Sequence, residues 1–445
     1  MYIESLDLSN VKTFPATSGR PPMEFVHPDR DYRSPKSLAE PGDKRLPRPR
    51  LRNVTLLLGN NGTGKTTILR SLAAAAFGPA AKDLLRDGSM VRYGEPFGRV
   101  KARILLHAQD HPGGGVICSS INVERKGERL DVSQRNVSPE EEPDAGLTDK
   151  PGQTSSSIWE RIYESKNDAF FVVGYGATRR VERLDSYDSG ARSKSKTSRD
   201  LRVQSLFEDS FSLIPLGSWL PREQEKNPGR YKQVINLLNK LLKPGDYTFS
   251  GKQDDRGDYL FLRGDMLIPF QSLSDGYRAF IGWVADLLYH VCFGCPSGKK
   301  LVENRGVVLV DEIDLHLHPS WQMKVIPTIA KALPNMQFVF TSHSPLVAGS
   351  LEWMNILTLK VTSKTNRTIA KRLKQSIHGL DADQILLTDF FGLKSTRAAS
   401  KRTELKKLRL EATAGGDDDK LAYVRALSLG SEATEKEEAR KEVEA

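Results

Sequence analysis

The sequence predicts an α/β fold in which a phosphate-binding loop joins a parallel or mixed sheet to a helix. Three segments predict it. Residues Gly59-Asn60-Asn61-Gly62-Thr63-Gly64-Lys65-Thr66-Thr67 follow the apolar run 54–58 and lead into an Ala- and Leu-rich stretch at 68–77. The run 306–310 is apolar throughout and ends in Asp311-Glu312, as a parallel strand covered on both faces does. A further apolar run, 337–341, ends in Ser342-His343-Ser344-Pro345.

Each segment implies a chemistry. Gly, four residues, then Gly-Lys-Thr is the spacing of a phosphate cradle, in which successive backbone N–H groups curl inward. Asn60, Asn61, Gly62, Thr63, Gly64, Lys65, Thr66 and Thr67 are the candidate nucleotide-binding residues, with Lys65 reaching the terminal phosphates. The helix that follows adds the positive end of its dipole. The Thr66 hydroxyl can ligate Mg²⁺, an ion that takes few protein oxygens beside phosphate and water. Asp311 can hold the rest of that metal shell, and Glu312 can polarise an attacking water as general base. His343 can hydrogen-bond a γ-phosphate and so sense its presence. A third anion site is offered by Ser274, Asp275 and Gly276, which precede a helical stretch at 278–290. It lies 37 residues ahead of the carboxylates (311 − 274).

Taken in order, these segments resemble the ATP-binding-cassette (ABC) family of ATPases. Residues 59–67 match its Walker A, 273–277 its signature, 307–312 its Walker B, 313–319 its D-loop and His343 its switch histidine. The wording Ser-Leu-Ser-Asp-Gly-Tyr-Arg and Leu-Val-Asp-Glu-Ile-Asp-Leu-His-Leu-His-Pro-Ser-Trp-Gln is similar to soluble AAA-21-type ATPases, relatives of the RecF and SMC-like proteins. Further echoes at 174–179, 218–220 and 379–386 resemble the ATPase subunits of Septu-type and retron-associated antiphage systems. The resemblance implies an ABC-ATPase-like domain with an antiparallel β subdomain and a helical insertion carrying the signature. It implies ATP and Mg²⁺ as cofactors and a homodimer or higher homo-oligomer. Ser274 and Gly276 of one subunit would meet, in trans, the γ-phosphate held by Lys65 of the other. It also implies a separate HNH-type nuclease under the ATPase's control. Two other readings are a RecF/SMC-like DNA-repair ATPase and an ATPase with its own nuclease, like the overcoming-lysogenization-defect (OLD) proteins. For the last, the candidate carboxylates are Asp381, Asp383 and 417–419. Where the family carries a coupling glutamine after a mid-domain strand, residues 174–180 hold none, and Tyr175 or Arg179 would substitute.

Along the chain, residues 2–8 alternate like a strand, and the Pro-rich 15–50 reads as a surface insertion. Residues 100–106 and 116–123 read as a strand pair. Residues 131–157 and 182–200 read as disordered insertions. A strand at 170–175, a helix at 232–242 and a hairpin of 259–262 with 266–270 follow, the hairpin delivering the signature loop. Residues 1–400 read as the ATPase domain, and 401–445 as a basic, then Glu- and Lys-rich, helical tail. No long heptad run separates the phosphate loop from the signature, which argues against a coiled-coil arm.

Apolar residues make up 38% of the 445, enough for a sizeable core. There is no run of 18 apolar residues, so no membrane partner is expected. The N-terminus lacks a basic-then-apolar export signal. Three cysteines fit a reducing compartment, hence a cytoplasmic protein, and Cys292-x-x-Cys295 reads as a structural loop. Net charge is +10. Basic residues gather at 45–52, at 179–202 and at 401–409, where they can neutralise nucleic-acid phosphates without reading sequence.

Overall fold

The computed structural model describes residues 1–16, 21–33, 45–85, 90–110, 114–124, 130–137, 172–181, 201–245, 247–362, 367–397 and 399–428. Two compact units divide the chain, Met1–Ile385 and Leu386–Ala445.

In the larger unit the chain runs β1 (Tyr2–Ser9), β2 (Met23–Glu24), β3 (Val54–Gly59), the phosphate-loop helix (Lys65–Phe77), β4 (Phe97–Leu106), β5 (Gly115–Glu124), β6 (Leu130–Val137) and β7 (Val172–Tyr175). It continues through β8 (Arg180–Val181), β9 (Ser212–Leu213), a helix at Pro228–Leu242, β10 (Thr248–Gln253), β11 (Tyr259–Arg263), β12 (Met266–Pro269) and the signature helix (Asp275–Phe293). β13 (Gly306–Val310), β14 (Met336–Ser342), β15 (Ile356–Thr362) and β16 (Arg367–Lys371) complete it.

A six-stranded sheet has the order β16-β15-β3-β14-β13-β7. It is parallel except for β16 at its edge. A five-stranded antiparallel sheet runs β2-β1-β4-β5-β6, and β10-β11-β12 form an antiparallel meander leading to the signature. This is the expected α/β class, with its mixed sheet, antiparallel subdomain and helical signature region.

The phosphate-loop helix shares one core with strands of both larger sheets. Its sequence, Lys-Thr-Thr-Ile-Leu-Arg-Ser-Leu-Ala-Ala-Ala-Ala-Phe, is apolar nearly all round, and eleven of its thirteen residues are buried. The four alanines let sheet strands come close without voids. Gln337 of β14 ties the two sheets together. Its side chain accepts the Ile3 N–H at 2.7 Å and donates to the carbonyls of Ile3 and Val26 at 2.7 and 3.1 Å. Fully buried amides need such saturation, because each orphaned group costs roughly 1–3 kcal/mol.

Two expectations change. Residues 131–137, read as disordered, belong to β6, which pairs with β5 from Val116↔Val137 to Val123↔Leu130. A sheet edge supplies backbone partners that local composition does not advertise. The remainder of 131–157, and 182–200, lie outside the described residues. Within 15–50, Phe25 and Val26 are fully buried rather than superficial. They are held by the Phe25 N–H to Glu4 and the Val26 N–H to Thr55 Oγ1 at 2.9 Å.

Cys292 lies in the last turn of the signature helix, and both it and Cys295 are buried free thiols. Burial pushes the Cys292 thiol up to about 12 and raises Cys295 as well. Arg230 donates to the carbonyls of both residues, satisfying a helix C-terminus. Cys292 thus lies at the end of the helix and Cys295 in the loop after it. No described helix is long and apolar enough to cross a membrane.

In the smaller unit, helices Ala399–Ala414 and Asp417–Ser428 pack on each other. The basic run 401–409 lies on the first, and Asp417, Asp418 and Asp419 open the second rather than sitting in a loop. Carboxylates in a first turn offset the helix dipole. The tail 431–445 lies outside the described residues.

Candidate active site

β3 delivers the phosphate loop and the following helix receives it. Gly64 sits at φ 91°, and a Cβ there would fall 2.7 Å from both Phe14 Cε2 and Thr13 Oγ1. Only glycine fits that backbone and that space. The loop therefore rests on the turn after β1, which brings Thr13 and Phe14 to the nucleotide site, a proximity that no local spacing in the sequence indicates. Thr63 Oγ1 donates to the Asn60 carbonyl at 2.8 Å, closing the loop.

Lys65 is 6% exposed, and its Nζ donates to the carbonyls of Gly59 and Asn60 at 2.8 and 3.1 Å. Burial lowers its pKa, while Asp311, Glu312 and Asp314 act in the opposite direction.

β14 lies between β3 and β13, and this order assembles the carboxylate site. Thr66 Oγ1 donates to Asp311 Oδ2 at 2.6 Å. The fully buried Thr341 of β14 donates to Asp311 Oδ1 and accepts the Glu312 N–H at 2.7 Å. Glu312 stands at φ 47°, a conformation costing a non-glycine residue about 1–2 kcal/mol. Arg179 Nη2 donates to its carbonyl at 2.6 Å, so the backbone is held on both sides. Arg179 itself is buried, and burial pushes its pKa down to about 10 against the attraction of Asp311, Asp314 and Glu312. Thr66 and Asp311 thus offer hard oxygens side by side, and the buried Asp314 Oδ1 has no hydrogen-bond partner among the described residues. That donor set suits Mg²⁺.

His343 follows β14 and is half-buried. Burial, then the Lys65 charge, push its pKa below the ordinary value, opposed by Glu312, Asp314 and Asp311. Those four groups place it among the loop lysine and the carboxylates. Burial, and then the neighbouring Lys65 charge, favour the neutral ring. ATP turnover is therefore expected to stay level as pH falls through about 6.5, the ordinary histidine value, and to decline only below it. A rise in turnover as pH falls through that value, absent in His343→Gln, would show the imidazolium to be the working form, and a decline centred at or above it would show that the site does not lower the pKa of His343.

Ser274 caps the signature helix with no side-chain bond to it, and Ser274 and Asp275 are exposed. Among the described residues no hydrogen bond joins Ser274, Asp275 or Gly276 to the phosphate loop of the same chain. Gly276 instead packs on the D-loop, where a Cβ would meet His316 O at 2.3 Å. Ser274, Gly276, Tyr277, His316, His318 and Trp321 line a cavity of about 100 Å³ there. Trp321 is the anchor of the Leu-His-Leu-His-Pro-Ser-Trp-Gln run. Its ring meets Tyr277 and Phe280 edge-on, at centroid distances of 4.9 and 4.8 Å. Gln322 next to it donates to Leu317 O at 2.9 Å and accepts from Ser344 Oγ at 2.6 Å, linking the D-loop to the residue after His343.

Comparison with known proteins fits this geometry. A family model described as "AAA domain, putative AbiEii toxin, Type IV TA system" matches residues 54–349. "Retron Ec83 probable ATPase" of Escherichia coli is 36% identical over 103 residues, covering 23% of this chain and 19% of that protein. "Septu protein PtuA" of Bacillus mycoides is 22% identical over 347 residues, covering 77% of this chain and 41% of that protein. "Retron Vc95 probable ATPase" of Vibrio cholerae is 24% identical over 391 residues, covering 73% of this chain and 74% of that protein. The chain therefore spans less than half the length of the first two of these relatives. With the family model covering β3, β13, β14, Asp311, Glu312 and His343, the chain belongs to the AAA-21 family.

Proposed function

We propose that this protein is a Mg²⁺-dependent ATPase that closes head to tail with a second copy on ATP. In that state it controls a separate HNH-type nuclease in a cytoplasmic antiphage defence complex. The observation that carries the reading is the continuous bonding from Thr66 through Asp311 and Thr341 to Glu312, beside a buried Lys65. Names of the relatives, two retron ATPases and a Septu protein, support the defence setting.

Bound Mg-ATP would supply the γ-phosphoryl group and, through the metal, neutralise charge developing on its oxygens. The chain's own groups do the rest. Lys65 exchanges its loop carbonyls for phosphate oxygens. Thr66 and Asp311 would hold the metal. Glu312 takes a proton from the attacking water, and neutral His343 donates a hydrogen bond to the γ-phosphate. Ser274 and the N-terminus of the signature helix bind the γ-phosphate of the other subunit. The basic runs at 179–202, apart from the buried Arg179, and at 401–409 hold nucleic acid near the nuclease.

The purified chain should hydrolyse ATP in a Lys65-dependent way and leave duplex DNA intact with Mg²⁺ or Mn²⁺. Co-expressed with a neighbouring nuclease gene, it should copurify with the product. DNA cleavage by the chain alone, lost on changing Asp381 and Asp383 to Asn, would replace this reading with a built-in nuclease.

A further inference from the structure

The helical hairpin of the smaller unit carries two different stripes. Along its first helix, Leu405, Leu408 and Ala412 follow at i, i+3 and i+7 and are half-buried, the pattern of a helix packed on one neighbour. Arg402, Lys406 and Leu410 follow at four-residue steps, share another face, and are all exposed. On the second helix Asp417, Leu421 and Val424, at i, i+4 and i+7, form an exposed face of the same kind. Leu410 is 72% exposed, Leu421 49% and Val424 56%. None of residues 401–424 is buried.

The charges on these faces are segregated. Asp417, Asp418 and Asp419 stand at the turn, and Arg402 and Lys406 lie toward the open end. The hairpin's ion pairs, Lys401–Glu404, Lys407–Glu411 and Lys420–Asp417, join exposed neighbours three or four positions apart on one helix, and such pairs contribute little. Among the described residues Arg402, Lys406 and Asp418 form no ion pair.

We propose that this face pairs with the same face of a second copy, hairpin against hairpin, with the two turns at opposite ends. The pattern is self-complementary in that arrangement alone. At 1.5 Å per residue, Leu410, Leu421 and Val424 lie about 6–11 Å from the turn and Arg402 about 18 Å from it. A two-fold axis about 9 Å from each turn therefore sets apolar residues on apolar residues. It also sets each turn's carboxylates beside the other copy's Arg402 and Lys406. Side-by-side hairpins with both turns together would instead oppose acid to acid and base to base. Lys401 and Lys407 lie off this face and stay free for nucleic acid. The pairing needs no nucleotide, so it stands apart from the ATPase reading.

Sedimentation equilibrium of the full chain without nucleotide, over a concentration series, tests it. The parent should self-associate, less strongly as salt rises. Leu410→Glu with Val424→Glu changes two exposed positions and should weaken the association about tenfold or more, with helix content unchanged by circular dichroism. Arg402→Glu with Lys406→Glu should weaken it as well, and so should Asp417→Lys with Asp418→Lys, because each opposes like charges at both ends. Mixed in equal amounts, these last two variants should associate nearly as well as the parent, since both ends again set acid against base. A damaged fold would give no such recovery. A parent that stays monomeric, an association untouched by Leu410→Glu with Val424→Glu, or a mixture no better than its components overturns the proposal. Duplex DNA bound by a monomeric parent and lost from the Leu410→Glu, Val424→Glu variant would give the face to nucleic acid instead.

Discussion

Glu312→Gln is expected to bind ATP as tightly as the parent and to turn it over about 10²–10⁴-fold more slowly, the usual contribution of a general base. The separation of binding from chemistry follows from how the residue is held. Its N–H goes to Thr341 Oγ1 and its carbonyl to Arg179, so the backbone fixes the side chain's position whether it ends in oxygen or nitrogen. Glutamine keeps the shape and loses only the basicity. The metal side of the site is built from Asp311 and Thr66, which the substitution leaves alone. Lys65→Ala acts at the other step. It removes the ammonium held against Gly59 and Asn60 and should weaken ATP binding about a hundredfold or more, the loss of one or two charge-assisted hydrogen bonds. Titration with a fluorescent ATP analogue beside steady-state phosphate release separates the two. Parent-like turnover in Glu312→Gln would remove the general-base mechanism.

What the sequence reveals of this site, and what it hides, divides by distance along the chain. Lys65, Thr66, Asp311, Glu312 and His343 each end an apolar strand or open a turn, so their roles are written in the adjacent residues. Thr341 is different. It reads as one more residue of an apolar strand, and becomes the clamp of Asp311 and Glu312 only because β14 lies beside β13. Strand order is not readable from local pattern, and neither are the contacts of Thr13 and Phe14 with Gly64. Of the two candidates for the missing coupling glutamine, Tyr175 donates to Asp286 and Arg179 to the Glu312 carbonyl, at opposite ends of one short segment. Choosing between them from sequence was impossible, because each depends on a partner more than a hundred positions away. The expected disorder at 131–137 went astray for the same reason, since β6 takes its order from β5.

Mixing two inactive variants, Lys65→Ala and Ser274→Arg, is expected to restore turnover, to about a quarter of the wild-type value if subunits exchange at random into two-fold dimers. Half of the dimers are then mixed. In each, the Ser274→Arg subunit's intact phosphate loop faces the intact signature of its partner, while the opposite site lacks both. Ser274 is the right place to strike. It is exposed, its hydroxyl is not spent on capping its own helix, and a longer side chain there meets solvent within its own chain. Gly276 is a poor choice despite its place in the signature, because any Cβ collides with His316 O and would damage the D-loop of the same subunit. Phosphate release from the mixture, with exchange verified by two different affinity tags, reads the outcome directly. A mixture as inactive as its parents, despite proven exchange, would mean that the signature does not complete the site from across a dimer.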